Sequence, residues 1–233
     1  MQVIAELHCH SIYSRDCNLR LDKIIDRCRQ RGISLIALTD HNEIAGAMML
    51  KKIAPEWLTV VVAEEITTKQ GDIIGLFLQE KIEPHQDIET TIDLIKEQGG
   101  LVLLPHPFDR FRSEAVGGKI VEQIKDRIDA IEVFNARCLL RADNKRAKTY
   151  AERHAVLPFV GSDAHTKREY GRAVNVMNWE GSNPHELKES ELKKALIKNL
   201  AHAHFRTRSS GAMAHVSTAI IKRRPKHDPS PDL

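Results

Sequence analysis

The stretch Val3-Ile4-Ala5-Glu6-Leu7-His8-Cys9-His10 joins a short apolar run to two histidines at i and i+2. A run this short, rich in Val and Ile, reads as a strand from Val3 to Leu7. On an extended segment, side chains two apart point to one face, where two imidazoles can bind a single metal ion. Further candidate strands are Ser34 to Leu38, Thr59 to Ala63, Ile73 to Leu78, Leu101 to Leu104, Ala130 to Phe134 and Leu157 to Val160. Metal-capable residues follow many of them: Asp40 and His41 after the second, Glu65 after the third, His106 after the Leu101 strand, and Asp163 with His165 after the Leu157 strand. Helical periods lie between the runs, as in βα units around a parallel sheet. In an α/β barrel the strand C-termini converge on one mouth, so these scattered residues are expected to meet there.

Between the first two strands Leu21, Ile24, Ile25 and Cys28 form one apolar stripe, with Asn18 as the expected cap and Gly32 as the stop. Ile88, Ile92 and Ile95 form a similar stripe before Gly99-Gly100, and Glu186 to Asn199 reads as the last amphipathic helix. The 233 residues fit one domain, and 42% hydrophobic with 29% charged residues is an ordinary globular balance. No apolar run approaches the roughly 18 residues of a membrane span. The start MQVIAELHCH lacks the basic and apolar regions of a signal peptide, so a cytoplasmic location is expected. Cys9, Cys17, Cys28 and Cys138 show no CxxC pair. They read as reduced thiols, and the lack of a CxxC pair beside carboxylate and imidazole candidates argues against a structural zinc protein.

The net charge of +3 is too small to mark a nucleic-acid binder, yet Arg206, Arg208, Lys222, Arg223, Arg224 and Lys226 crowd the C-terminus. The expected division is a domain over 1–205 and a solvated basic tail over 206–233, with PKHDPSPDL as a disordered end.

Taken in order, LHCHSIYSRD (7–16), LTDHN (38–42), AEEIT with Glu65, PHPF with His106 and GSDAHT (161–166) resemble the motifs of the PHP domain family, named for polymerase and histidinol phosphatase. The resemblance spans roughly residues 3 to 200 and implies an α/β fold, a distorted seven-stranded TIM-like barrel holding up to three divalent metal ions. It would place His8, His10, Glu65 and Asp163 on the first ion, Glu65 and His106 on the second, and Asp16, His41 and His165 on the third. Glu65 is preferred to Glu64 because the family's ligand directly precedes the hydrophobic residue that is here Ile66. Where relatives commonly carry a histidine, this chain has Asp72. It reads either as an oxygen ligand favouring manganese or magnesium or as a turn residue after Gly71.

The resemblance implies a hydrolase of phosphoric esters, in which bound manganese, zinc, magnesium or iron activates a hydroxide and neutralises the phosphoryl group. Nucleotides or oligonucleotides are the expected substrates, through phosphatase or 5′-3′ exonuclease activity. The alternatives are a small-molecule phosphatase acting on a compound like histidinol phosphate and a non-catalytic metal-binding module serving a nucleic-acid enzyme. Arg137 is the first choice for a phosphate-binding cation, ahead of Arg110, Arg112 and Arg172, since guanidinium matches phosphate geometry. Asp40 is read as a catalytic carboxylate or a turn cap, Glu132 as a carboxylate orienting a ligand histidine, and His202 and His204 as surface residues. An aromatic content of 5% leaves little for base stacking.

Overall fold

The strands expected from sequence form β1 (Gln2–Glu6), β2 (Leu35–Leu38), β3 (Thr59–Thr68), β4 (Gly71–Leu76), β5 (Leu101–Leu104), β6 (Ala130–Asn135) and β7 (Pro158–Gly161) in a computed structural model that describes residues 1–222. Two more, β8 (Ala173–Asn178) and β9 (His204–Thr207), complete a nine-stranded sheet in the order β7-β6-β5-β4-β3-β2-β1-β8-β9. The helices are α1 (Leu21–Arg31), α2 (Ala45–Ile53), α3 (Ile88–Glu97), α4 (Gly117–Ile124), α5 (Arg141–His154), α6 (Glu189–Leu200) and α7 (Met213–Lys222). The sheet curls into a nearly closed barrel.

The expectation of a parallel sheet needs correction. β1, β2 and β3 pair in parallel, as do β5, β6 and β7. β4, however, runs antiparallel to both β3 and β5, and β8 is antiparallel to β1 and β9. Only Lys69 and Gln70 separate β3 from β4, and a two-residue connection makes a hairpin, never a crossover. The start of β4 therefore lies beside the end of β3, with Asp72 paired to Thr67. Asp72 reaches the mouth where the expected ligands gather from a strand's N-terminal end, whereas the others lie toward or just beyond strand C-termini.

Alternation sorts the core into two faces. Val3, Ala5, Leu35, Ala37, Val61, Ala63, Ile74, Leu76 and Phe159 pack together inside the barrel, and Leu192, Leu196 and Leu200 of α6 join them with Trp179. The intervening residues, Ile36, Leu38, Val60, Val62, Ile66, Ile73 and Ile131, face outward against Ile24, Leu50, Ile92, Ile95 and Val121 of the surrounding helices. Each such large side chain removed from water contributes about 1.5–3 kcal/mol. The barrel closes between β7 and β8 through a side chain: Asn175 accepts from Val160 N (3.0 Å) and donates to Val160 O (2.8 Å). On α1, Leu21, Ile24 and Cys28 are buried, and Gly32 stops the helix at φ 69°. Asn18 does not cap it, since Arg20 holds the N-cap position and makes no side-chain cap bond.

The segment expected as a solvated tail carries structure up to Lys222. β9 crosses the expected boundary at residue 205, and α7 follows it. Arg223, Arg224, Lys226 and the PKHDPSPDL end lie outside the described residues.

Candidate metal centre

Glu65 sits at the middle of the barrel mouth because β3 alternates. Val61, Ala63 and Glu65 share the inner face, while Glu64 shares the outer parity of Val62 and Ile66. The Glu65 carboxylate faces four imidazoles. Its Oε1 is 2.9 Å from His106 Nε2 and 3.4 Å from His8 Nε2; its Oε2 is 3.1 Å from His41 Nδ1 and 3.3 Å from His10 Nε2. Asp163 Oδ1 lies 3.3 Å from His10 Nε2 and 3.7 Å from His8 Nε2. Asp16 lies 3.3 Å from His165 Nε2 and 3.6 Å from His41 Nε2. All nine residues expected as ligands converge here.

Their donor atoms form four overlapping groups whose members lie within 4.8 Å of one another: His8-His10-Glu65, His8-His106-Asp163, His10-His41-His165 and His41-Glu65-Asp72. Asp72 thus stands with His41 and Glu65, on the inner face of β4 together with Ile74 and Leu76. His106 and Asp163 adopt positive φ, 26° and 50°. Such backbone is uncommon for residues other than glycine and gathers at functional sites.

Buried polar atoms are normally hydrogen-bonded. Here His8 Nε2, His10 Nε2, Asp16 Oδ1, Glu65 Oε2, Asp72 Oδ1, His106 Nδ1 and Asp163 Oδ1 are buried without a hydrogen-bond partner, although most of them face one another across the cluster. Imidazole nitrogens and carboxylate oxygens orphaned side by side fit divalent ions, which would satisfy both kinds of atom.

The charges match that chemistry. Burial works to raise the pKa of Glu65, but His8 and His41 hold its carboxyl well below the usual range. Burial acts likewise on Asp163, and there Arg112 and His8 prevail and keep it ionised. Burial, with His165 and His41 nearby, keeps His10 a neutral imidazole. Asp72 is pushed up to about 8 by burial and by the Glu65 charge, the response of a buried carboxylate beside another.

A surrounding layer of hydrogen bonds orients the clustered side chains. His8 Nδ1 donates to Glu132 Oε1 (3.1 Å), leaving Nε2 directed at the cluster, and Glu132 Oε2 accepts the backbone N–H of His106 (2.7 Å). Asp40 does not face the donor atoms directly. It accepts from Ser11 N and Ser11 Oγ, each at 2.6 Å, and from Ser14 Oγ at 2.8 Å. Ser14 Oγ in turn lies 3.3 Å from His10 Nδ1 and accepts His41 N at 2.9 Å, so Asp40 is linked to the clustered histidines through Ser14. Gly46 is required beside it, because a Cβ there would collide with Asp40 Oδ2 and come within 2.9 Å of Ser11 Oγ.

Arg137, the sequence's first choice for a phosphate-binding cation, is directed elsewhere. It is buried, donates to Ala214 O (3.0 Å) and Thr218 Oγ1 (2.5 Å) of α7, and lies 3.5 Å from Glu169. Arg110 pairs with Asp143, and Arg172 donates to Ser209 O. Of the four candidate arginines, Arg112 is the one that reaches the cluster, with Nη2 2.5 Å from Asp163 Oδ2. His202 and His204 are exposed. Asn135, absent from the residues expected at the site, bridges Glu132 Oε2 (3.0 Å) and Asp163 Oδ2 (3.2 Å) with its amide. Its signal was available, since it ends β6, the strand that also carries Glu132.

Two family descriptions match this chain: PHP domain over residues 6–104 and PHP-associated over residues 141–198. The uncharacterized protein MJ0417 of Methanocaldococcus jannaschii is 34% identical over 213 residues, covering 83% of this chain and 85% of the relative. A two-domain protein of Bacteroides vulgatus, containing a predicted PHP-like metal-dependent phosphoesterase, superposes with a TM-score of 0.70 at 16% identity over 89% of this chain and 65% of its own. The lesion-specific endonuclease EndoQ of Pyrococcus furiosus gives a TM-score of 0.60 at 17% identity, over 85% of this chain and 56% of its own. At such identities the two structures share the fold alone. With the ordered motifs, the barrel and the relative in agreement, the chain belongs to the PHP domain family.

Proposed function

We propose that this protein is a metal-dependent phosphoesterase that hydrolyses a phosphate ester of a nucleotide or oligonucleotide at the barrel mouth. The observation that carries this reading is the set of buried, mutually facing imidazole and carboxylate atoms without hydrogen-bond partners. His8, His10, Glu65 and Asp163 would hold one ion, Glu65 and His106 a second, and Asp16, His41 and His165 a third, with Asp72 an oxygen donor beside Glu65 and His41. Bound divalent ions supply a water nucleophile at neutral pH and neutralise the phosphoryl oxygens.

The chain's own residues do the rest. Glu132 keeps the His8 ring in one tautomer, and burial of His8, His10 and Glu65 excludes bulk water from their donor atoms. Arg112 places a planar cation beside Asp163, within reach of a phosphoryl group that approaches that carboxylate. The nucleotide preference rests on the basic C-terminal stretch together with the fold shared with a lesion-specific endonuclease.

The test is hydrolysis of an aryl phosphate and its diester analogue by chelator-stripped protein resupplied with manganese, zinc or magnesium. A 5′-phosphorylated oligonucleotide, nucleoside bisphosphates and histidinol phosphate are then compared. Glu65→Ala is expected to abolish turnover. Absence of turnover with every metal would favour a non-catalytic module, and full activity of Glu65→Ala would overturn the site.

A further inference from the structure

The chain beyond β8 is tied across the ligand loops at several points. Arg208 N donates to Arg172 O (2.6 Å) and Ser210 N to Ala136 O (2.7 Å). Arg137 donates to Ala214 and Thr218 of α7, while His215 Nε2 bonds back to Arg137 O (2.9 Å). Glu169, beside Arg137, accepts from His165 N (3.1 Å) and Thr166 Oγ1 (2.9 Å), so the support of α7 is continuous with the loop that carries His165. The helix ends at Lys222, whose Nζ lies 3.3 Å from Asp16 Oδ2.

That contact matters because Asp16 also faces His41 and His165. Among the described residues, Lys222 is the lysine with an ion pair to a carboxylate of the cluster, as Arg112 is the arginine. The two cations enter by different carboxylates, Asp163 for Arg112 and Asp16 for Lys222. The Lys222 side chain is 56% exposed, so its ammonium is free to turn on a flexible stem while the helix anchors hold that stem at the mouth. A carboxylate engaged by a divalent ion has less charge to offer an ammonium, and the nearest new anion is then a bound phosphate.

We infer that α7 is a built part of the active-site mouth and that Lys222 is a substrate-binding residue, contributing a cation to an anionic phosphate oxygen of the ligand. This rests on the phosphoesterase reading above. It gives the basic C-terminus a specific place: one lysine fixed at the site, in addition to any diffuse field from the tail.

The test uses the full chain loaded with manganese and reads two quantities. Binding of inorganic phosphate is measured by calorimetry, and steady-state hydrolysis of an aryl phosphate is followed in parallel. Lys222→Ala is expected to weaken phosphate binding and raise KM by about tenfold each, the scale of one charge-assisted contact, with kcat within about twofold. Lys222→Arg is expected to restore most of both, and manganese stoichiometry is expected to stay as in the unaltered protein. Unchanged phosphate affinity in Lys222→Ala would overturn the inference, as would a loss that Lys222→Arg fails to restore. Because phosphate binding is read without turnover, failure of the phosphoesterase reading appears separately, as absent hydrolysis in the unaltered protein.

Discussion

Glu132 and His8 are joined by a 3.1 Å hydrogen bond between Oε1 and Nδ1, although 124 residues separate them in the chain. The other oxygen of the same carboxylate holds the backbone of His106. One buried side chain of β6 therefore sets the tautomer of a histidine after β1 and the position of another after β5. Gly161 permits this approach, since a Cβ there would collide with Glu132 Oε1 and lie 2.5 Å from His8 Cβ.

Glu132→Gln is accordingly expected to lower metal affinity by about 10–100-fold, the usual cost of losing the partner that orients a ligand histidine. Zinc or manganese titration by calorimetry checks this. Affinity equal to that of the unaltered protein would show that the cluster orders itself without Glu132.

Arg137→Met separates the two roles considered for that residue. Removing the guanidinium leaves Glu169 buried without its cation and α7 without two hydrogen bonds. A loss of about 3 kcal/mol in unfolding free energy is expected, together with faster proteolytic cleavage after β9. Metal stoichiometry should hold. Unchanged stability combined with lost phosphate binding would instead return Arg137 to the substrate.

Glu64 offers a test by pH on the metal-free protein. Burial pushes its carboxyl up to about 7, with the Ile82 N–H as partner. In the window from the unfolded value of about 4.5 to about 7, the folded state holds a proton that the unfolded state releases, so this group makes stability fall as pH rises. Glu64→Gln keeps an acceptor for Ile82 and removes the titration. It is expected to stabilise the protein by roughly 1–2 kcal/mol at pH 8 and to change little at pH 4. Denaturant unfolding at the two pH values decides it, and an equal effect at both would rule out the carboxyl as the cause.

Much of the fold is legible in the sequence wherever the signal is local. β5 spans Leu101–Leu104 as its apolar run indicates, and the Leu21, Ile24 and Cys28 stripe is the buried face of α1. β8 and β9 are not legible in the sequence, for different reasons. Ala173–Asn178 includes Asn175, a polar residue at an interior position whose partner is the backbone of β7, and His204–Thr207 is an edge strand with mostly exposed side chains. Neither shows the alternation that marks a half-buried strand.

What the sequence by itself determined is the set of metal-capable residues and their place at strand ends. That information is carried by local patterns: His8 and His10 two apart, Glu65 in step with Val61 and Ala63, and Asp163 with His165 after an apolar run. What only the tertiary structure decided is where the long side chains go and which way the strands run. Arg137 turns to α7 and Arg112 to Asp163 because long flexible side chains are aimed by partners distant in sequence. Asp72 reaches the cluster because a two-residue hairpin reverses β4. Lys222 arrives at Asp16 because a helix 206 residues further along the chain is anchored over the same mouth, a contact set by packing and absent from any local pattern of residues.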